Sequence, residues 1–234
     1  MTAKRSFFGR LLRFVFASIL AFLVVSVGSV LALRWIDPPT TAFMIGDRIG
    51  AWLDDEPNYR LRRNWVDWPN IAAPVKLAVV SSEDQTFATH HGFDFKSIND
   101  ALEERENGRR VRGASTISQQ VAKNLFLWSG KNWIRKGLEA WFTVLIEALW
   151  PKQRILEVHL NVAQFGPHLF GVGAAATTFF HKPAAKLTAD DAALLAAVLP
   201  NPVRLRVDKP SRYVRSRQQW ILSQMRQMGE LKLH

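Results

Sequence analysis

An uncharged run of twenty residues constrains this chain more than any other feature of the sequence. Residues 14–33 read FVFASILAFLVVSVGSVLAL. As an α-helix this run is about 30 Å long, the thickness of the hydrocarbon core of a bilayer. The apolar region of a cleaved signal peptide is shorter, and no convincing small-x-small cleavage site follows the run. The sequence therefore predicts a transmembrane anchor at residues 14–33, with a cleaved signal as the minor alternative.

The charges on either side of this run predict its orientation. Four basic residues precede it, whereas Arg34 and then Asp37 follow it. Because positively charged flanks stay in the cytoplasm, residues 1–13 are predicted to form a cytoplasmic tail. Nearly everything after the span then lies outside the cytoplasm, which disfavours nucleic-acid and ATP chemistry for the main domain.

The formal net charge of +11 over 234 residues first suggests a nucleic-acid-binding protein. The excess is confined to the two ends, however. Residues 1–34 carry five basic and no acidic residues, and residues 204–234 carry eight basic and two acidic ones. Such ends are expected for segments near an anionic membrane surface. Cysteine is absent, which excludes disulfides, thiolate nucleophiles and cysteine metal sites.

The pattern beyond the span changes near residue 71. Residues 34–70 are rich in proline and tryptophan, and we interpret them as an irregular, membrane-proximal connection. Residues 132–150 and 188–199 have the apolar spacing and the N-terminal cap residues of helices. No convincing series of alternating strands is present. The sequence predicts a mainly α domain at residues 71–234.

The first candidate site lies at residues 81–94, SSEDQTFATHHGFD, where carboxylates and histidines stand among aromatic residues. Glu83 follows an apolar run and precedes Phe87, and apolar surroundings raise the pKa of a carboxyl towards that of a useful base. His90 and His91 have neither an HExxH motif nor a further histidine at ligand spacing. A histidine hydrogen-bonded to a neighbouring helix is therefore favoured over a metal site.

The second candidate site lies at residues 108–124, GRRVRGASTISQQVAKN. If Thr116 caps a helix, Gln119 completes a capping box, which explains both residues structurally. The other polar residues form a basic face, which is usually solvated; the alternative is an anion site at the start of the helix. The candidate substrate-binding residues of this stretch are Arg112, Ser115, Thr116, Gln119, Gln120, Lys123 and Asn124.

The third candidate site is RKGLE, residues 135–139. On a helix, Arg135 and Lys136 share a face with Glu139. An ordinary surface salt bridge is one interpretation. The helix is otherwise very apolar, however, so a carboxylate there is expected to be either paired or functional.

These stretches, in this order, resemble the motifs of the peptidoglycan glycosyltransferases, the transglycosylase module of class A penicillin-binding proteins. Residues 83–94 resemble the motif EDxxFxxHxGxD. Four further segments of this chain resemble the next motifs of the family, in the same order. They are GASTISQQVAKN (113–124), RKGLE (135–139), KQRILEVHLNVAQFG (152–166) and GAAATTFFHKPAAKLTADDAALLAAVLPNP (173–202). The resemblance covers about residues 71–230. His159 replaces a usual tyrosine, and Asp191 a common glutamate. No SxxK or KTG motif follows, so no transpeptidase activity is expected.

The resemblance implies a mainly α, lysozyme-like, two-lobed fold, with a groove between a globular head and a membrane-proximal jaw. It also implies a reaction, the polymerisation of lipid II. The glycan leaves a polyprenyl pyrophosphate and joins the 4-hydroxyl of a lipid II acceptor, with inversion at the anomeric carbon.

The resemblance further implies roles for particular residues. Glu83 is the implied general base. Glu139 is the second implied catalytic carboxylate, and Lys123, Arg135 and Lys136, with Arg112 less certain, are the implied pyrophosphate-binding cations. Glu139 is also a candidate ligand of a divalent metal, magnesium or manganese.

The implied partners are lipid II, the growing glycan strand, membrane lipid and proteins of cell-wall synthesis or division, with no nucleic acid. The implied location is the bacterial inner membrane, with the catalytic domain outside the cytoplasm. Two alternatives stay open: a lysozyme-like lytic enzyme that cleaves glycan, and a non-catalytic, membrane-anchored scaffold of the cell-wall machinery.

Overall fold

The computed structural model describes residues 2–96, 99–100, 103, 115–130 and 132–233, and the side chains of residues 2–7 are not described. Arg112, one of the predicted binding residues, lies outside the described residues. The chain forms two compact units, Met1–Asp37 and Pro38–His234.

The first unit is built on one long helix, α1 (Thr2–Leu33). Its segment Phe8–Leu33 has 26 residues, and an 18-residue window within it has a mean hydropathy of 2.6, which makes it long and apolar enough to cross a membrane. Most of its large apolar side chains are exposed. These properties fit the single-pass anchor predicted at residues 14–33.

The second unit is mainly helical, as predicted. Among the described residues the strands are β1 (Arg62–Arg63), β2 (Gln164–Gly166) and β3 (Leu169–Phe170). They form one small sheet in the order β1-β3-β2, in which β1 is parallel and β2 antiparallel to β3. Short 3-10 turns lie at Trp68–Asn70 and Ala184–Lys186. The helices are α2 (Ala42–Leu53), α3 (Ala73–Glu83), α4 (Ile117–Phe126), α5 (Trp133–Leu149), α6 (Lys152–Val162), α7 (Val172–Phe180), α8 (Ala189–Val198) and α9 (Arg212–Met228).

The predicted helix starts are confirmed, together with their caps. Thr116 and Thr188 each form a capping box, with Gln119 and Asp191 respectively. Asn132 caps α5 by accepting a hydrogen bond from the Arg135 N–H at 2.7 Å. Each cap satisfies a backbone N–H that has no partner within its own helix.

The prediction that residues 34–70 are irregular is wrong at α2. Thr41 caps this helix by accepting a hydrogen bond from the Met44 N–H at 3.1 Å, and the helix buries Met44 and Ala51. Its opposite face also exposes apolar side chains, Ile45 and Ile49. The compact unit accordingly begins at Pro38, earlier than the boundary expected at residue 71.

Two groups of packed helices carry the core of this unit. Helices α3, α8 and α9 pack against one another, and α4 packs against both α5 and α6. Every residue from Ala192 to Val198 in α8 is buried, as expected for a helix enclosed on all sides. This packing brings the end of α3, the middle of α4 and the start of α5 into one region of the domain.

The tight turn before α7 requires glycine. Gly171 has φ +82°, and a Cβ at this position would lie 2.7 Å from the backbone oxygen of Asn161. The Asn161 side chain is itself fixed, because its Oδ1 accepts from the Val66 N–H at 2.8 Å and its Nδ2 donates to the Val66 oxygen at 2.9 Å. The backbone of α6 therefore has little freedom to move away from an added methyl group.

Gly171→Ala is expected to lower the free energy of unfolding by about 2 kcal/mol, because left-handed strain and a backbone clash act together. Gly46→Ala is the matched control, since a Cβ at this position of α2 meets no atom within 4 Å. That substitution is expected to stabilise the protein by about 0.5–1 kcal/mol. Thermal unfolding of the two variants in detergent measures the difference, and equal midpoints would contradict the assignment.

Candidate active site

Glu83 is the last residue of α3, and its carboxylate is largely buried. Gln120 of α4 donates a hydrogen bond from Nε2 to Glu83 Oε2 at 3.1 Å. Burial raises the pKa of Glu83, and the hydrogen bond from Gln120 and the nearby charge of Arg217 oppose that rise only in part. A carboxylate with a raised pKa, reachable from a surface that binds substrate, has the property of a general base.

Asp84 holds the residues around Glu83 together. Its Oδ2 accepts from the backbone N–H of Ile117, the first residue of α4, at 2.9 Å, and its carboxylate accepts from His90 Nε2 at 2.9 Å. His90 Nδ1 in turn accepts from the Gly92 N–H at 3.0 Å. His90 is thus hydrogen-bonded as expected, although its partners are Asp84 and Gly92 rather than a neighbouring helix.

Glu139 is buried on α5 and binds both cations that the sequence placed on its face. Arg135 Nη1 donates to Glu139 Oε2 at 2.7 Å, and Lys136 Nζ pairs with Glu139 Oε1. Arg135 is also buried, whereas half of the Lys136 side chain is exposed. The interpretation as an ordinary surface salt bridge is wrong, because a buried carboxylate needs paired cations to offset its lost hydration.

Lys123 of α4 links the two carboxylates. Burial lowers the pKa of Lys123, the charges of Glu139 and Glu83 act to raise it, and those of Arg135 and Lys136 act to lower it. The lysine therefore lies within electrostatic range of both glutamates. The glutamates and Lys123 belong to one charged site built from the end of α3, the middle of α4 and the start of α5.

Arg217 of α9 belongs to the same site, and the sequence analysis missed it. Its Nη2 lies 3.5 Å from Glu83 Oε1. In the sequence, Arg217 belongs to the basic end at residues 204–234, which is expected near an anionic membrane surface. The signal that could have found Arg217 is its position on the stripe of buried residues Val214, Ile221 and Met225, where an arginine needs a partner.

Two guanidinium N–H groups in the site are buried without a hydrogen-bond partner among the described residues. They are Nε of Arg135 and Nε of Arg217. Nearly all buried polar groups in proteins have partners, so an unmet donor in a cationic site is open to an acceptor that the described residues do not supply. An anion supplies such an acceptor.

The other predicted binding residues have different surroundings. The side chains of Thr116 and Gln119 bond within the protein: Thr116 Oγ1 donates to the Gly92 oxygen at 2.7 Å, and Gln119 Oε1 accepts from the Thr116 N–H at 3.0 Å. Ser115 is exposed and Asn124 is buried. Contact with substrate stays a prediction for these four residues.

The two departures from the family motifs are accommodated locally. His159 is fully buried, and burial lowers its pKa to about 4, so its ring is neutral. Neither ring nitrogen has a hydrogen-bond partner among the described residues. Asp191 takes the third position of α8, where its carboxylate accepts from the Thr188 N–H at 2.9 Å and from Lys182 Nζ at 2.7 Å. An aspartate therefore completes the capping box there.

The surroundings of Glu139 do not fit a resident divalent metal. Both of its oxygens already bind cations. Within the part of the chain that the structure describes, no group of three or more His, Asp or Glu side chains could hold a metal ion. Magnesium and manganese need several oxygen ligands, and one carboxylate shared by two cations does not supply them.

Comparison with known proteins identifies the family. The family model described as Transglycosylase matches residues 50–226, which is most of the chain. The chain belongs to the transglycosylase family. This finding confirms the resemblance to peptidoglycan glycosyltransferases and the lysozyme-like fold that it implied.

Similar transglycosylases come from several bacteria. The chain is 51% identical over 225 residues to the biosynthetic peptidoglycan transglycosylase of Pseudomonas aeruginosa, covering 96% of this chain and 95% of that protein. It is 52% identical over 220 residues to the protein of that name from Xanthomonas campestris pv. campestris (strain B100), covering 94% and 89%. It is 50% identical over 226 residues to that from Cronobacter sakazakii, covering 97% and 94%.

Glu83→Gln is expected to stabilise this transglycosylase at neutral pH. Because the pKa of Glu83 is raised in the folded protein, the folded state holds the proton more tightly than the unfolded one. The free energy of unfolding therefore falls as pH rises from the ordinary glutamate pKa through the folded pKa. Glutamine has no titratable proton, so the variant does not lose stability in this way as pH rises.

The test is the thermal midpoint of the wild type and the variant as a function of pH. The two midpoints should converge in acid and separate as pH rises, with the variant more stable. Glu230→Gln, at an exposed glutamate, is the control and should follow the wild type. A variant less stable than the wild type at neutral pH would show that the Glu83 carboxylate is not held at a cost.

Proposed function

We propose that this transglycosylase polymerises lipid II into glycan strands for bacterial cell-wall synthesis. The donor is a growing glycan carried on a polyprenyl pyrophosphate, and the acceptor is the 4-hydroxyl of a lipid II molecule. The family match and the names of the relatives support this reaction. The arrangement of charges in the site supports the roles of individual residues.

Glu83 acts as the general base. Its carboxylate takes the proton of the acceptor 4-hydroxyl while that oxygen attacks the anomeric carbon of the donor. The bond between that carbon and the pyrophosphate oxygen breaks, the pyrophosphate leaves with the electron pair, and the configuration inverts from α to β. The raised pKa of Glu83 supports this role, because a base is most effective when its pKa is near the working pH.

Lys123, Arg135 and Lys136 stabilise the leaving group. Pyrophosphate leaves as an anion and needs positive charge rather than a proton donor. Glu139 orients Arg135 and Lys136 through direct ion pairs. Since the donor set around Glu139 does not fit a metal, charge stabilisation is assigned to these side chains.

One observation carries the proposal: a buried carboxylate of raised pKa lies in the same site as a cluster of cations. Two of these cations, Arg135 and Arg217, each have a buried donor without a partner among the described residues. A lytic enzyme must protonate a sugar oxygen that leaves, so it needs a carboxylic acid and no cation cluster. A scaffold needs neither group, and burying them without function costs stability. Both alternatives therefore fit the site less well than polymerisation does.

The surface beside the cations supports action on lipid-linked substrates. Trp133 and Ile134, which open α5 directly before Arg135 and Lys136, are 92% and 75% exposed. Tryptophan and aliphatic side chains next to cations are typical of surfaces at the level of lipid headgroups. We propose that this surface meets the membrane where the pyrophosphate of the substrate lies.

We further propose that the protein is a single-pass protein of the inner membrane, with its N-terminus in the cytoplasm and its catalytic domain outside. The basic residues before the apolar segment support this orientation. We also propose that it has no transpeptidase activity, because it covers 89–95% of relatives named only as transglycosylases. Association with proteins of cell-wall synthesis or division stays a prediction.

Glu83→Gln is expected to retain the fold and lipid II binding while polymerisation falls by at least ~10²–10⁴-fold, the usual contribution of a positioned base. The assay uses the purified full chain, labelled lipid II, and gel analysis of the glycan products. Glu230→Gln is the control and should keep the wild-type rate. If Glu83→Gln kept a large fraction of the rate, Glu83 could not be the base. Short glycan fragments from preformed strands would instead support a lytic enzyme.

Glu139→Gln and Arg135→Ala are expected to impair the same step. Each should lower the polymerisation rate while the pH dependence set by Glu83 persists. Because the two side chains are in direct contact, the double variant should lose less than the product of the two single losses.

A double-mutant cycle on polymerisation rates, with a pH profile for each variant, provides the measurement. If the rate of the double variant fell by the full product of the two single losses, Glu139 and Arg135 would act independently. If the pH dependence of the polymerisation rate disappeared in Glu139→Gln and persisted in Glu83→Gln, the roles assigned to the two glutamates would be reversed.

A further inference from the structure

A second group of titratable side chains lies outside the candidate active site, around the imidazole of His168 in the turn between β2 and β3. Its Nδ1 lies 2.8 Å from Asp47 Oδ2 on α2. Its Nε2 lies 3.1 Å from Glu56 Oε1, in the loop after α2. The ring packs edge-on against Tyr59, whose hydroxyl donates to the same Asp47 oxygen at 2.9 Å.

Two carboxylates on the two ring nitrogens specify the charge of this histidine. A neutral imidazole has one N–H and one lone pair, so it can donate to only one carboxylate. Only the imidazolium donates to both Asp47 and Glu56. Partial burial acts to lower the pKa of His168, but hydrogen bonds to the two carboxylates and their charges outweigh it and raise the pKa.

The pKa of His168 is raised from the ordinary histidine value of ~6.5. Burial and the hydrogen bond to Asp47 raise the pKa of Tyr59 to about 12, so the phenol stays protonated. Carboxylates ordinarily titrate well below neutral pH and arginine well above it. The charged or titratable groups that adjoin the turn are Asp47 and Arg48 on α2, Glu56 and Tyr59 after it, and Arg62, whose backbone N–H donates to the His168 oxygen at 2.8 Å.

Helix α2 connects this cluster to the active site. Asp47 lies one turn after Phe43, so both side chains are on the same side of the helix. Helix α2 packs against α4, and Lys123 Nζ of α4 lies 5.2 Å from the centre of the Phe43 ring. A contact that fixes Asp47 therefore also fixes the aromatic ring beside the lysine.

We propose that His168 is a positioning residue for Lys123: its imidazolium clamps α2 to the β2–β3 turn and so holds Phe43 against Lys123. Loss of one ring proton to solvent removes one of the two hydrogen bonds and leaves two carboxylates facing a neutral ring, which releases the clamp. The inference rests on the proposed role of Lys123 in binding pyrophosphate.

The direction of the pH effect follows from the raised pKa. The pKa of His168 in the folded protein lies above its unfolded value of ~6.5. The clamp therefore stabilises the docked α2 fully below ~6.5, and this stabilisation is lost as pH rises through the folded pKa. Each unit between the two pKa values changes the opening equilibrium of α2 tenfold.

The test uses the full chain in phospholipid nanodiscs. Imidazole ¹⁵N NMR measures the pKa of His168, and hydrogen exchange of residues 42–53 measures the opening of α2. His168→Asn removes the imidazole and assigns its signal. His181→Asn is a matched control, because both histidines have left-handed backbones (φ 53° and 54°) that asparagine tolerates, and His181 is exposed.

We expect a His168 pKa above ~6.5. Helix α2 should be better protected in the wild type than in His168→Asn at low pH, and the two should converge above the pKa, with His181→Asn following the wild type throughout. A pKa at or below the ordinary value, or a protection difference that does not change with pH, overturns the clamp. Should His168→Asn fail to fold, Asp47→Asn carries the test, because removing that carboxylate must lower the His168 pKa.

The link to Lys123 is tested by polymerisation rates at the same pH values. His168→Asn should slow the reaction at low pH and match the wild type above the His168 pKa. If the NMR and exchange results confirmed the clamp but His168→Asn did not change the polymerisation rate at any pH, the link to Lys123 would be refuted. Undiminished activity of Glu83→Gln would refute the proposed catalytic base, and it would leave the NMR and exchange results unaffected.

Discussion

The arrangement of the active site depends on the carboxylate of Asp84. It accepts the first backbone N–H of α4 and a ring N–H of His90, so it joins the end of α3 to a helix that begins more than thirty residues later. A carboxylate at a helix N-terminus also interacts favourably with the helix dipole. Helix α4 then presents Gln120 to Glu83 one turn later and Lys123 one turn beyond that. Displacement of α4 from Asp84 would separate Glu83 from Lys123.

The described cations of the site outnumber Glu83 and Glu139, the two carboxylates that they surround. Four cations, Lys123, Arg135, Lys136 and Arg217, surround Glu83 and Glu139, and two of their guanidinium N–H groups have no partner among the described residues. Removing such charges from water costs free energy that the ion pairs offset only partly. In the proposed reaction the pyrophosphate brings negative charge next to these cations. The excess of positive charge therefore favours the proposed anionic leaving group.

Helix α2 shows how residues outside the family motifs contribute to the site. It follows directly on the prolines at the start of the compact unit and places Phe43 beside Lys123, while the cluster around His168 holds its other end. An aromatic ring near an ammonium lowers the cost of burying that charge. The compact unit therefore includes the segment that the sequence suggested was only a connection.

The sequence by itself determined the features whose physics is local. The length of the apolar run, the caps at Thr116, Asn132 and Thr188, and the pairing of Glu139 with Arg135 and Lys136 each depend on residues within a few turns of one another. Four features depended on contacts between segments far apart in the chain: the proximity of Arg217 to Glu83, the partners of His90, the helix α2 and the cluster around His168. No local spacing encodes which distant helices meet. Tertiary packing alone decided them, because burial selects partners in space rather than along the sequence.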